Sequence, residues 1–226
     1  AKGIVKRGVT ELVTPGVTFN DRVLEVNKDN YLAAVHFVGQ KEMGVAFIEV
    51  STGDFFCFSG PVSYGEKVLG TLDPAEVLVS KGDLRAFKNL LGERFYLTRQ
   101  DEWIFQLDYA RESLLELLKV NSLKGFGLEE EEAGLIAAGA IVHYLNETQQ
   151  RNLGHISRIY QFNDSAYVWL DRFTVRNLEL IHPLHPDGKS LVEVLDHTLT
   201  PMGGRMLRRA LLLPLKDLGQ IRKRLD

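Results

Sequence analysis

Short apolar runs alternate with turn sequences in the first part of the chain. Runs of this length that are rich in β-branched and aromatic residues predict strands. Four such runs occupy residues 4–13, 31–38, 45–50 and 55–58. The segments 39–44 and 51–54 between the last three runs have the Gly, Ser and Asp content of hairpin turns. The pattern therefore predicts an antiparallel meander.

From residue 63 onward the pattern changes to helix and strand in alternation. It predicts a helix over 63–72, a strand over 77–79, a helix over 84–91 and a strand over 95–97. Helical crossovers between strands give a parallel register. A meander followed by such crossovers is the element order of an α/β ribonuclease-H-like fold, a mixed sheet with flanking helices.

Beyond residue 107 the periodicity is helical. Asp108 is predicted to cap a helix, and the segment 124–127 is predicted to break it. A long helix over 129–149 follows, with acidic residues at its start and small residues at 137–140 that permit close packing. We expect this helix to lead away from the α/β domain, with a boundary near 151–156.

The last third is predicted to be mainly α-helical. Two short β-like runs, 157–162 and 167–170, precede a turn at 183–188. A helix is predicted from Thr200 and Pro201 to Leu212, where Pro214 ends it, and an amphipathic helix over 218–226. If the rest of a helical core is missing, apolar faces such as those of Leu207, Leu211 and Leu215 would be exposed or covered by another molecule.

Composition and charge exclude several classes of protein. The single cysteine, Cys57, permits neither an intramolecular disulfide nor a cysteine-rich zinc site, which fits a reducing cytosol. No apolar run is long enough for a membrane span.

The net charge of −3 divides into +4 for residues 172–226 (ten Lys and Arg against six Asp and Glu) and −7 for the remainder. The absence of an initiator Met and the abrupt end of the last helix predict a segment of a longer chain.

Two acids raise the possibility of a metal-dependent nuclease. Glu49 and Asp54 flank the turn between two predicted strands, where ribonuclease-H-like nucleases hold two metal ions. Two metal ions need a cluster of about four acids. Asp108 could be a third, but Glu11 on the first strand is better explained as a solvated side chain. A turn acid and a surface acid explain Glu49 and Asp54 more simply, so no metal site is predicted.

Other residues with potential chemistry are explained more simply by structure. The segment Asp187–Ser190 ends like a phosphate-binding P-loop, but Pro183 stands where the first glycine should be, so Ser190 is predicted to cap a helix. His182 and His185 lack further metal ligands. His36 and His143 are predicted to be structural residues with hydrogen-bond partners.

The basic residues Arg205, Arg208 and Arg209 lie close together on one predicted helix. They could lie near DNA and contact its phosphates. Alternatively, they form the solvated face of a helix and pair with acids. No aromatic side chains are interleaved with them, which favours the second interpretation.

A series of short segments occurs along nearly the whole chain in the order typical of one protein family. The segments are VKRGVTELVTPG at 5–16, NYLAA at 30–34, GVAF at 44–47, STG at 51–53, PAEVL at 74–78, AAGA at 137–140, RNLEL at 176–180, LDHT at 195–198 and TPMGGRMLRR at 200–209. In these segments the chain resembles the MutS family of DNA mismatch-repair proteins. It departs from the family pattern at Val175, where many relatives carry Arg, and at Ala210, where they carry Trp.

The resemblance implies a division into the end of a mismatch-recognition domain (1–16), a ribonuclease-H-like connector domain (17–153) and the first part of a helical core (154–226). It implies a cytoplasmic, nucleoid-associated protein whose full-length form is a homodimeric ATPase that uses ATP and Mg, binds mismatched duplex DNA and recruits MutL. This part is expected to hold no catalytic, cofactor or metal site and to be a relay and docking scaffold. Its expected partner-facing residues are Tyr109, Arg111 and Glu112.

Overall fold

A mixed sheet forms the centre of the molecule, with helices on both of its faces. The computed structural model describes residues 14–16, 30–148 and 153–225. Within them the sheet has six strands in the order β5-β4-β1-β2-β3-β6. The strands are β1 (Tyr31–Val38), β2 (Glu42–Glu49), β3 (Asp54–Pro61), β4 (Glu76–Ser80), β5 (Leu97–Gln100) and β6 (Tyr160–Gln161).

The strand pairing confirms the predicted meander and crossovers. β1, β2 and β3 pair antiparallel, and β4 pairs parallel with both β1 and β5. The hairpin loop at 39–41 is shorter than predicted, with Gly39 at a φ of 67°, so that β2 begins at Glu42. The strand predicted over 95–97 begins two residues later in the structure, where β5 starts at Leu97. The predicted strand over 4–13 and Glu11 lie outside the described residues.

Two helices cover one face of the sheet. They are α3 (Leu107–Leu118) and α4 (Glu132–Glu147), and α4 packs against β1, β2 and β3. The expectation that this helix leads away from the domain was therefore wrong. Its apolar residues are buried on all sides, between the sheet and α3, because the small residues predicted to permit close packing do so.

The close approach of α4 depends on glycines. A Cβ at Gly139 would lie 2.4 Å from the Cα of Ala110 in α3, and one at Gly44 would lie 1.9 Å from the backbone of Ala133. Glu131, directly before α4, is buried and accepts hydrogen bonds from the Ser59 amide and, at 2.5 Å, from the Gln161 side chain. The start of α4 is thereby attached to both β3 and β6. Asp108 lies inside the first turn of α3, and Gln106 rather than Asp108 precedes that helix.

The opposite face carries two helices of the α/β part and the helices that follow it. The helices α1 (Val62–Leu72) and α2 (Leu84–Leu91) belong to the first group. The second group, called the helical segment below, comprises α5 (Arg172–Asn177), α6 (Leu191–Leu195), α7 (Pro201–Leu212) and α8 (Leu218–Leu225).

The helical segment shares a hydrophobic core with the sheet. Leu180, Val192 and Leu212 belong to the same buried cluster as Phe56 and Phe58 of β3. Leu207 and Leu211 are partly buried against this cluster, so the expectation that their face is exposed or covered by another molecule was wrong. The strand β6 adds to the sheet beside β3, where Phe56 pairs with Tyr160.

Two predicted helix starts are confirmed by their caps. Thr200 precedes α7 and accepts a hydrogen bond from the Gly203 amide, with Pro201 in the first turn. Ser190 precedes α6 and forms a capping box with Glu193. Hydrogen bonds from Ser190 hold the pKa of the Glu193 carboxyl below its ordinary value. The P-loop-like string at 187–190 is therefore the start of a helix.

Candidate functional site at the junction of sheet and helices

A network of polar side chains joins α7 to the edge of the sheet. Arg209 of α7 donates from Nη2 to the Tyr160 hydroxyl at 2.6 Å and from Nη1 to Oδ2 of Asp54, with which it forms an ion pair. The Tyr160 hydroxyl donates to the other oxygen of Asp54 at 2.8 Å. Tyr31 donates to Asp54 at 3.4 Å. We call Tyr31, Asp54, Tyr160 and Arg209 the junction network.

The junction network draws on three strands and one helix that are far apart in the sequence. Asp54 opens β3, Tyr31 opens β1, Tyr160 opens β6 and Arg209 lies near the end of α7. Each Asp54 oxygen accepts from at least one hydroxyl or guanidinium donor, which is the arrangement that a partly buried carboxylate needs. The ion pair therefore ties the helical segment to the end of the β2–β3 hairpin.

The charges in the network stabilise one another. Burial lowers the pKa of Arg209, but its interactions with Tyr31, Asp54 and Tyr160 more than offset this effect, so that the pKa is raised overall. Burial raises the pKa of Tyr160, and the neighbouring Asp54 adds to the shift while Arg209 opposes it. Arg209 is thus held as a cation and Tyr160 as a neutral hydrogen-bond donor.

Glu49 and Arg205 form a second, looser contact beside the network. The Glu49 carboxylate accepts hydrogen bonds from the Ser51 hydroxyl at 2.7 Å and the Thr52 amide at 2.8 Å, which confirms it as a turn acid. Both Glu49 and Arg205 are buried, and the Arg205 Nε lies 4.0 Å from a Glu49 oxygen. This Nε has no hydrogen-bond partner among the described residues.

The predicted role of Asp54 as a surface acid was wrong, because its carboxylate is mostly buried in the junction network. The strand register places Glu49 directly opposite Asp54, so the two candidate nuclease acids are neighbours. The guanidinium of Arg209 is the counter-charge of Asp54. No group of three or more potential metal ligands is found in the described ranges, and Asp108 is exposed on the other face. Nothing observed favours nuclease chemistry.

The three arginines proposed to lie near DNA differ in their surroundings. Arg205 is buried and Arg209 belongs to the junction network, while the Nε of Arg208 is buried without a hydrogen-bond partner in the described part of the chain. The alternative of a solvated helix face with ion pairs was right about the Arg209 pair and wrong about the exposure of Arg205. DNA contact by these residues stays a prediction.

The predicted partner surface contains an aromatic cluster on the opposite face of the molecule. The Tyr109 hydroxyl and the His143 Nδ1 are 2.5 Å apart. The Trp103 ring lies edge-on to both, with centroids 5.1 Å from Tyr109 and 5.2 Å from His143, and is 54% exposed. Arg111 and Glu112 are exposed beside it, and Arg111 lies 3.7 Å from a Glu132 oxygen.

The histidines do not converge on a common site. His143 has the structural hydrogen bond predicted for it, but the ring of His36 stacks on Phe105 and its buried Nδ1 has no partner among the described residues. Burial lowers the pKa of His36, with Asp83 opposing the shift. His182 and His185 are exposed in the loop after α5.

Sequence reasoning missed Tyr31 and Tyr160 as members of the junction network and Trp103 as the exposed ring of the partner surface. An apolar run with a terminal tyrosine predicts a strand but not the partner of its hydroxyl. Only the basic cluster around Arg209 and the turn acids around Asp54 gave a usable signal. The sequence spacing did not predict that β6 lies beside β3, where Tyr160 contacts both Asp54 and Arg209.

Comparison with known proteins identifies two matching family models. The model described as MutS domain II matches residues 30–157, and the model described as MutS domain III matches residues 173–226. The first match contains β1 to β5 with α1 to α4, and the second contains most of α5 and all of α6, α7 and α8. The α/β ribonuclease-H-like connector followed by helices, predicted from the sequence, is thereby confirmed.

Curated relatives match over the whole chain. The chain is 50% identical over 226 residues to the DNA mismatch repair protein MutS of Cytophaga hutchinsonii, which covers 100% of the chain and 26% of the relative. It is 50% identical over 223 residues to that of Flavobacterium johnsoniae, 99% of the chain and 26% of the relative. It is 46% identical over 225 residues to that of Phocaeicola vulgatus, 100% of the chain and 26% of the relative. The chain thus spans about a quarter of the length of these relatives.

None of the described helices combines the length and hydropathy required to span a bilayer.

Proposed function

Since the chain belongs to the MutS family of DNA mismatch-repair proteins, we propose that it is a non-catalytic connector that relays conformational change between other parts of a MutS protein. The full-length protein then binds mismatched duplex DNA as a homodimer, uses ATP and Mg at an ATPase site that lies elsewhere in that protein, and recruits MutL. The domain division at 16 and 153 stays a prediction, since the matched ranges leave residues 158–172 unassigned.

The observation that carries the relay proposal is the junction network. A relay between two elements requires that displacement of one moves the other, and a shared core with an ion pair across it gives that rigidity. Arg209 joins α7 to β3 through Asp54, and Leu212 of the same helix is buried in the core that contains Phe56. A movement of α7 would therefore displace the edge of the sheet.

The surface around Trp103 supports the proposal of a docking site for MutL. Exposed aromatic residues flanked by charges are typical of protein interfaces, and Trp and Tyr contribute strongly to binding at their centres. Trp103 is exposed. Its ring packs against Tyr109 and His143, which are hydrogen-bonded to each other. Arg111 and Glu112 would form the polar rim, on the face of the sheet away from the junction network.

The relay is tested in the full-length protein by Arg209→Met, with Arg222→Met on exposed α8 as the matched control. We expect Arg209→Met to keep mismatch binding without nucleotide and basal ATP hydrolysis, and to lose most of the change in nucleotide release caused by mismatched DNA. A parent-like response to mismatched DNA in Arg209→Met would contradict the relay.

The docking surface is tested separately, by binding of purified MutL to the full-length protein. We expect Trp103→Ala to weaken binding by at least about tenfold, the effect typical of an interface hot spot. Tyr96→Ala is the control, because Tyr96 is also exposed, at 59%, but lies before β5. Equal effects of the two substitutions, or none, would contradict the assignment of this surface.

A further inference from the structure

A cavity of about 350 Å³ lies between α1 and the helical segment, and the junction network does not use it. Its walls come from the end of α1, from α5, from the loop that follows α5 and from α7. Its volume is at the lower end of the range of roughly 300–1,000 Å³ for small-molecule sites. We call it the arginine cavity, because Arg172, Arg176 and Arg208 line it.

The arginine cavity carries an excess of positive charge. Arg94 lies at its rim, since a Cβ on the lining residue Gly70 would be 3.1 Å from Arg94 Nη2. The lining contains one carboxylate, that of Asp73, against three arginines. Burial lowers the pKa of Arg94, and the positive charge of Arg172 lowers it further, while Asp73 and Glu66 oppose the shift. Arg94 and Arg172 are therefore close enough for their positive charges to repel each other.

Among the residues that the structure describes, no ion pair neutralises this cluster. In the described parts of the chain, no carboxylate oxygen lies within 4.0 Å of the charged nitrogens of Arg94, Arg172, Arg176 or Arg208. The Arg208 Nε is buried and has no hydrogen-bond partner among the same residues. The pKa of the Asp196 carboxyl is lowered mainly by hydrogen bonds from Thr198, and the positive charge of Arg208 is a smaller cause. The guanidiniums that line the cavity thus carry positive charge that no ion pair among the described residues offsets, and an anion in the cavity would supply the missing partner.

The rest of the wall is aliphatic. Leu72, Val175 and Leu212 line the cavity together with Pro183, and no aromatic side chain is among the lining residues. We propose that the arginine cavity binds a small organic phosphate, with the phosphate group on the guanidiniums and the apolar part on the aliphatic wall. Guanidinium forks match phosphate oxygens in geometry and remain charged at all physiological pH values. The limited volume favours a small molecule over a macromolecular segment.

The test uses the 226-residue chain, phenyl phosphate as the probe and isothermal titration calorimetry at low ionic strength. Inorganic phosphate and phenol serve as the two partial probes, because each carries one half of the proposed recognition. We expect phenyl phosphate to bind about tenfold more tightly than inorganic phosphate, through burial of the ring, and phenol not to bind measurably. Raising the salt concentration should weaken binding.

Two variants and a matched control assign the binding to the cavity. Arg176→Gln and Arg208→Gln should each weaken phenyl phosphate binding roughly tenfold, the loss expected for one charge-assisted hydrogen bond. Arg85→Gln removes an exposed arginine of α2 and should bind like the parent. Arg176 is exposed, so its replacement tests the proposal even if Arg208→Gln folds poorly.

Several results would overturn the proposal. They are the absence of phenyl phosphate binding at millimolar concentration, phenol binding as tight as that of phenyl phosphate, and parent-like binding by Arg176→Gln. A short DNA duplex that binds through Arg176 while phenyl phosphate does not would also overturn it, because the phosphates would then belong to nucleic acid.

Discussion

Replacement of Arg209 by Met removes the guanidinium from the junction network while keeping an unbranched apolar side chain. The Asp54 carboxylate would retain the Tyr160 and Tyr31 hydroxyls, at 2.8 and 3.4 Å, but lose its counter-charge. Removing one partner of a fully buried pair costs roughly 3–5 kcal/mol. The side chains of Arg209 and Asp54 keep 26% and 17% of their exposure. Because water still reaches them, we expect the free energy of unfolding to fall by about 2–3 kcal/mol.

A double-mutant cycle separates the pair from the packing of Arg209. The variants are Asp54→Asn, Arg209→Met and the combination, measured by urea denaturation of the chain with circular dichroism and tryptophan fluorescence. We expect the loss in the double variant to be smaller than the sum of the single losses by about 1–2 kcal/mol, since contacting charges couple to that extent. Coincident transitions by the two probes are needed for this comparison.

The control for the cycle is Arg222→Met, which removes an exposed arginine of α8. It should change the free energy of unfolding by no more than about 0.5 kcal/mol. The reasoning would be refuted if Arg209→Met stayed within that range with an unchanged urea slope. A coupling energy near zero would show instead that Arg209 acts through packing on Phe56, whose ring centroid is 5.7 Å away.

Three further predictions concern packing and pH. Gly139→Ala should lower the free energy of unfolding by about 2–3 kcal/mol in urea denaturation, because its Cβ would meet Ala110 at 2.4 Å; Ala137→Gly is the comparison without a clash. The raised pKa of Tyr160 means that the folded state keeps a proton that the unfolded state loses above about pH 10, so stability should fall there, and less steeply in Tyr160→Phe. The lowered pKa of His36 means that the unfolded state gains a proton below about pH 6.5 before the folded state does. Stability should therefore fall between pH 6.5 and 5, and His36→Phe should flatten this slope; an unchanged slope would contradict it.

Local structure was predictable where one periodicity dominates the sequence. The bounds of α2 at 84–91 and the start of α7 at Pro201 follow from apolar spacing and cap residues, and the structure agrees with both. The start of β2 was predicted three residues late, because Glu42 and Gly44 have low strand propensity. Gly44 is nevertheless required in this strand, because a side chain there would clash with the backbone of α4. Requirements set by a distant helix do not appear in local propensity.

The role of α4 and the junction network required the tertiary structure. The small residues at 137–140 predicted close packing, and Gly139 provides it, but the sequence did not reveal that the neighbours are α3 and the sheet. Arg209 was grouped with Arg205 and Arg208 because all three lie on one helix. The acids that face Arg205 and Arg209 are Glu49 and Asp54, more than a hundred positions earlier, and spacing along a helix carries no information about them.

The brevity of β6 determines where the molecule should yield under mechanical tension. β6 pairs with β3 only through the Phe56–Tyr160 and Cys57–Gln161 positions, whereas β2 and β3 pair over all eight positions of each strand. A force that pulls residue 225 away from residue 30 reaches this short pairing before the meander. The helical segment should therefore detach as one unit, and a single-molecule extension trace should show an early, low-force step followed by a separate rupture of the five remaining strands.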